Sequence, residues 1–184
     1  MSQAQTAQTL KIGDLPKNRP TAFELVPDAE TRRAIAAELG IEAVRKLRLS
    51  GEIAPMGKAD WQLTATLGAT VVQSCVVTLA PVTTRIDEPL SRLYLANMPE
   101  PEVEAGAEVE MPENDSQEPL PAVLDLSRVM VEALALALPL YPRAEGAELE
   151  DARFAAPGTA PMSDEDARPF AVLKGLRDKL EKDE

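Results

Sequence analysis

Cys75 is the one cysteine in a chain that has no histidine, and those two facts remove much of the chemistry side chains can do. Ser-His-Asp and Cys-His nucleophile systems need an imidazole, and so does any metal site with His ligands. Catalysis would fall to carboxylates, lysine, tyrosine, the lone thiol or a Ser-Lys pair. Asp87-Glu88 and Asp164-Glu165-Asp166 bring acids together, but consecutive acids with no further ligand read as solvated surface. No GxGxxG or Walker A spacing is present, so nucleotide binding has no support. Cys75 has no Lys, Arg or His beside it to depress its pKa, and its place on an apolar strand face reads as a buried structural cysteine. The expectation is a chain with no catalytic residue, no cofactor and no bound metal, and therefore not an enzyme.

Binding is the remaining class of function. A net charge of −12 argues against broad contact with phosphate backbones, where Lys and Arg dominate. Much of that charge is local. Pro99 to Glu118 holds Glu100, Glu102, Glu104, Glu108, Glu110, Glu113, Asp115 and Glu118 with no base, which leaves only −4 for the rest of the chain. Pro99, Pro101, Pro112 and Pro119 interrupt both helix and sheet there. The stretch reads as a solvated, disordered acidic insertion over 99–118; mimicry of nucleic-acid phosphate for a basic partner is the alternative. A local basic face is expected at Lys46 and Arg48, on the outward side of their strand. Near the C-terminus, Phe170, Leu173, Leu176 and Leu180 form an apolar stripe with Lys174, Arg177 and Lys179 off it. A helix that short is marginal alone in water, so Phe170, Leu173, Leu176 and the neighbouring Lys174 are candidates for a docking surface, on a partner or on the chain's own domain.

Several elements must position these residues. Asp28 to Leu39 reads as a helix, with Asp28 as N-cap, Glu30 in the first turn and Gly40 ending it. Thr9 to Ile12 is a candidate edge strand, followed by an irregular connection through Pro16 and Pro20. Ala43, Leu47, Leu49 and Ile53 share one parity against Lys46, Arg48, Ser50 and Glu52, the alternation of a half-buried strand. Pro55-Met56-Gly57-Lys58 supplies a turn. Trp61, Leu63, Ala65, Leu67, Val71, Cys75, Val77 and Leu79 continue the pattern, and Gly68 reads as a turn or bulge splitting that run in two. Val82, Thr84 and Ile86 begin a further strand that Leu93 to Leu95 ends. Leu126 to Leu138 is a second helix, apolar nearly all round and stopped by Pro139 and Pro142.

These elements predict an α+β fold: a mostly antiparallel twisted sheet or partial barrel capped by two helices, with an acidic loop and a C-terminal tail ending in a short helix. The expected organisation is a single domain over 1–142, then a flexible tail over 143–184 with a helix at 170–180. A length of 184 residues with 45% apolar composition suits one domain of roughly 100–200 residues and a core built mainly of Leu, Val and Ala. No apolar run reaches the ~20 residues of a membrane span. Met1 to Leu10 shows no signal or transit pattern, and one cysteine fits a reducing compartment. The expected location is the cytoplasm.

Three runs carry a resemblance. Val71-Val72-Gln73-Ser74-Cys75-Val76-Val77-Thr78-Leu79-Ala80-Pro81-Val82 resembles the central block of the YceD family. Asp125-Leu126-Ser127 through Ala137-Leu138-Pro139-Leu140-Tyr141-Pro142 is similar to that family's helix and LPLYP segment. Arg168-Pro169-Phe170-Ala171-Val172-Leu173-Lys174-Gly175-Leu176 resembles its closing PFAVL block. The blocks come in the family's order and, with Gly51 and its strands, the likeness spans most of 40–180. It implies a large ribosomal RNA subunit accumulation protein, concerned with synthesis, processing or stability of 23S rRNA, with no catalytic residue to carry over. It also implies that many relatives carry a C-x-x-C here and a further cysteine after the last proline of the LPLYP segment, a pattern that looks like a zinc site. In this chain Cys75 matches the first position, Thr78 stands at the second and no cysteine follows Pro142. The expected role is a non-catalytic factor for ribosome biogenesis. It would act through a protein partner in large-subunit assembly or rRNA processing, with weak RNA contact at most and no membrane or DNA. The alternative is a carboxylate-dependent metal nuclease acting on rRNA.

Overall fold

The computed structural model describes residues 8–98, 117–148, 155–156 and 158–159. The chain divides into two units, 1–145 and 146–184, and the elements below belong to the first. In chain order they are β1 (Thr9–Lys11), β2 (Thr21–Leu25), α1 (Ala29–Glu38), β3 (Ala43–Met56), β4 (Asp60–Ser74), β5 (Pro81–Leu95), β6 (Gln117–Pro119), β7 (Val123–Asp125) and α2 (Leu126–Ala137). The five-stranded sheet runs β2-β3-β4-β5-β6, and β1 pairs separately with β7. Every pairing is antiparallel except β5 with β6, where Leu93, Tyr94 and Leu95 lie opposite Gln117, Glu118 and Pro119. Among the described residues this is an α+β fold with an open sheet, not a closed barrel.

The core lies on one face of the sheet. Trp61, Leu63, Ala65, Leu67, Ala69 and Val71 of β4 are all buried, as period-two alternation requires. The register sets Leu49 of β3 opposite Leu67 and Ile53 opposite Leu63. Phe23 and Leu25 come from β2, Ile35 and Ala36 from α1, and Leu126, Val129, Met130, Ala133 and Leu134 from α2. Both helices start on an aspartate that satisfies free N–H groups. Asp28 accepts from Thr31 N, and Asp125 accepts from Ser127 N and Arg128 N. Leu138, before Pro139, is extended, so α2 ends at Ala137, two residues before that proline.

The structure departs from the sequence reading in several places. Gly68 does not split β4, which is continuous; the guanidinium of Arg85 lies across it, and a Cβ there would sit 2.8 Å from Arg85 Nη2. The β parity of β3 fails at its start. Between Arg45 and Arg48 the strand carries an extra residue relative to β4, with Lys46 at φ 50. This bulge buries Val44 and leaves Ala43 half-buried. The alternation of β4 ends at Ser74, because residues 75–80 turn away from the sheet, so Leu79 is exposed rather than in the core. The strand Thr21–Leu25 lies beyond the expected irregular connection. Gln117 and Glu118 belong to β6 rather than to an acidic loop, and that strand is parallel to its neighbour.

Candidate functional site

Side chains able to do chemistry gather at two places along α2. The first is on its outward flank. Arg92 points to the core side of β5 and is 8% exposed. Its Nη1 donates to Glu118 Oε1 at 2.7 Å and its Nη2 lies 3.1 Å from Glu132 Oε1. One guanidinium thus ties β5 to β6 and to α2. Burial alone would lower its pKa, but the carboxylates of Glu132 and Glu118 outweigh that and raise it. Tyr94 lies beside it, with its ionisation pushed up to about 12, chiefly by burial. Its hydroxyl is buried and makes no hydrogen bond among the described residues. A cleft of about 340 Å³ opens here, lined among others by Arg92, Tyr94, Glu118, Arg128 and Glu132. The two carboxylates that converge here spend lone pairs on Arg92, so the arrangement is a clamp.

The second place is beyond the C-terminal end of α2. Residues 75–80 form a tight turn in which Cys75 N donates to Ala80 O at 2.7 Å and Leu79 N to Cys75 O at 3.0 Å. Leu79 sits in the left-handed region at φ 59. Against this turn lies the segment after α2. Gln73 Nε2 donates to Pro139 O at 3.1 Å, and Val76 N donates to Pro142 O at 2.9 Å. Cys75 Sγ completes the seam by accepting from Val77 N and Thr78 N, each at 3.4 Å, and from Ala144 N at 3.3 Å. The prolines favour this pairing, because each breaks the helix while keeping a carbonyl free to accept.

Those donors change the thiol. The Thr78 side chain, then the backbone N–H groups of Ala144, Thr78 and Val77, lower Cys75 to about 6. Near neutral pH it is mostly thiolate, without a cation beside it. The sequence reading of a buried structural cysteine holds, since Cys75 is fully buried. Its pKa departs from the sequence reading because, apart from the Thr78 side chain, the donors are backbone groups, which carry no residue-type signature. Burial keeps such a thiolate from acting as an open nucleophile, and it acts instead as the staple of two loops. It does not suit zinc either. The chain has no second cysteine and no histidine. Among the described residues no three Cys, His, Asp or Glu side chains converge on a point.

The other sequence candidates fall as follows. Lys46 and Arg48 are both exposed, as expected, but the bulge separates them and Arg48 pairs with Glu24 at 2.9 Å. Arg85 on the same open sheet face is engaged by Asp87. Two of the strand arginines therefore spend their charge within the sheet. Asp87 pairs rather than joining Glu88 in a site. Phe170, Leu173, Lys174, Leu176 and Leu180, with Asp164–Asp166 and residues 99–116, lie outside the described residues.

A family model described as large ribosomal RNA subunit accumulation protein YceD matches residues 63–177, which include most of β4, all of β5 to β7 and α2, and both sites. No curated protein and no solved structure matches the chain.

Proposed function

The chain belongs to the YceD family, the large ribosomal RNA subunit accumulation proteins, and we propose that it serves that accumulation as a non-catalytic factor working through protein contacts. The observation that carries this reading is the fate of the converging acids. Glu118 and Glu132 meet on Arg92 at 2.7 and 3.1 Å instead of framing a space for a metal and a water. A two-carboxylate nuclease needs those lone pairs for its cation. The partner, in this reading, is a protein of large-subunit assembly or rRNA processing in the cytoplasm. The apolar stripe of Phe170, Leu173 and Leu176, flanked by Lys174, is one surface it uses. Direct RNA contact is weak and confined to the side of Lys46 and Arg48, with no role for DNA or a membrane. No described helix is long and apolar enough to cross one.

Two experiments test this. Purified protein incubated with precursor large-subunit rRNA and Mg²⁺ should leave the RNA intact, while deletion in cells should lower large-subunit rRNA relative to small. Cleavage that Glu118→Gln with Glu132→Gln abolishes would establish the nuclease instead. For the stripe, Phe170→Ala with Leu173→Ala should lower large-subunit rRNA without changing the melting temperature. A fall of several degrees would assign those residues to the chain's own core.

A further inference from the structure

Most of the outer edge of β5 has no neighbour among the described residues. β5 runs from Pro81 to Leu95, and β6 pairs only with Leu93, Tyr94 and Leu95. The register shows which backbone groups this leaves. Val72 O accepts from Glu42 N on the β3 side, so even positions of β4 face β3 and odd ones face β5. Val71 lies opposite Thr84 and Ala69 opposite Ile86, so even residues of β5 bond to β4 and odd ones turn outward. Leu95 O agrees, because it accepts from Leu120 N beyond the edge. Pro81 and Pro89 agree too, since both are odd and a proline has no N–H to give β4. From Pro81 to Ser91 the outward N–H and C=O groups form an open ladder among the described residues, a feature that native sheets normally cover.

This ladder is complementary to itself. We infer that it pairs antiparallel with the same edge of a second copy of the chain, about a two-fold axis at Ile86, so that two sheets become one. That axis sets Arg85 of each copy opposite Asp87 of the other, Thr83 opposite Pro89 and Pro81 opposite Ser91. The prolines do not block it, because their carbonyls face the N–H groups of Thr83 and Ser91. The pairing stops where β6 begins on one copy and where residues 75–80 turn away on the other. Arg85 and Asp87 already pair within the strand, with side chains 49% and 58% exposed on the open face. Laid against the second copy they close a ring of alternating charge. On the other face Ile86 meets Ile86, and Val82 comes beside Leu90. Leu90 lines a groove of about 360 Å³ with Leu136, which is otherwise 80% exposed. Moving the axis by one residue would oppose Arg85 to Arg85 or Asp87 to Asp87, so charge selects the register.

Sedimentation of the full chain over micromolar concentrations tests the pairing, and the parent should run as a dimer. Asp87→Arg sets arginine against arginine and should weaken the association about tenfold. Arg85→Asp together with Asp87→Arg restores opposite charges across the axis and should bring the dimer back. A second measurement reads the register without relying on charge. Thr84 and Glu88 of different copies fall opposite each other at a close, non-hydrogen-bonded position that suits a disulfide. Thr84→Cys with Glu88→Cys should therefore join the two copies on oxidation, and either substitution alone should not. A chain that stays monomeric, a dimer that Asp87→Arg leaves intact, or copies that the paired cysteines fail to join would each overturn the inference. So would slow hydrogen exchange at the Thr83, Arg85 and Asp87 amides of a monomer, because another segment would then cover the edge.

Discussion

Midway along its flank and beyond its C-terminal end, α2 is fastened to the sheet in opposite ways. Along its flank, Arg92 is enclosed by Glu118 and Glu132, so the polar groups there satisfy one another. Beyond its C-terminus, Cys75 and a few backbone groups join two loops, and the side chains of Leu140, Tyr141 and Leu79 stand in solvent. The clamp consumes its own functional groups; the staple presents side chains that nothing in its own seam uses. A side-chain cluster that is rich in charge is therefore spent on holding the fold here, while the seam that looks poor in chemistry leaves large apolar side chains in solvent.

Substitutions can break this contrast, beginning with the core that both fastenings rest on. Leu134→Ala removes a fully buried side chain from α2 and should cost about 3 kcal/mol, lowering the melting temperature by about 9 °C. Arg92→Ala comes next. The guanidinium is buried, but its carboxylates are 40% and 50% exposed and relax into water. The expected loss is about 2 kcal/mol in urea unfolding. A loss below about 0.5 kcal/mol would mean that the clamp is decorative.

Near pH 7 Cys75→Ala should destabilise less than Arg92→Ala, and its effect should grow with pH. The folded-state thiol ionises at about 6 and the unfolded one near its ordinary value of 9.0. Below pH 6 both states are protonated and the charge contributes nothing. As pH rises from 6 towards 9, only the folded state is mostly ionised, so the stability lost in Cys75→Ala should grow across that window. A constant loss from pH 5 to 9 would show a neutral thiol. The smallest effect belongs to the exposed pair. Leu140→Ser with Tyr141→Ser should change stability by no more than about 0.5 kcal/mol, because side chains this exposed bury little on folding.

Local signals were legible before the structure was seen. Asp28 caps its helix through an N–H three residues on, and Trp61, Leu63, Ala65 and Leu67 mark a buried face, although the strand runs straight through the break that Gly68 suggests. What escaped depends on distant partners. Gln117–Pro119 and Val123–Asp125 are strands only because Leu93–Leu95 and Thr9–Lys11 lie beside them. The bulge at 45–48 hides in a segment where Val44 and Leu47 offer apolar residues on both parities. Arg92 meets carboxylates 26 and 40 positions away, and Cys75 meets an N–H 69 positions away. Burial of Cys75 followed from its apolar neighbours; its ionisation did not, because every residue but proline carries an N–H. Exposure of Leu140 and Tyr141 was equally hidden, since an apolar run after a helix reads as core until the turn is known.

The central proposal is that the chain serves large-subunit rRNA through surfaces it exposes, the stapled corner with Leu140 and Tyr141 among them. The most direct measurement is the ratio of large- to small-subunit rRNA in cells whose only copy of the chain carries Leu140→Ser and Tyr141→Ser, at matched protein abundance. The account predicts a ratio close to that of the deletion strain, with the melting temperature of the variant unchanged. A ratio equal to that of the parent, in cells where deletion lowers it, would contradict the claim.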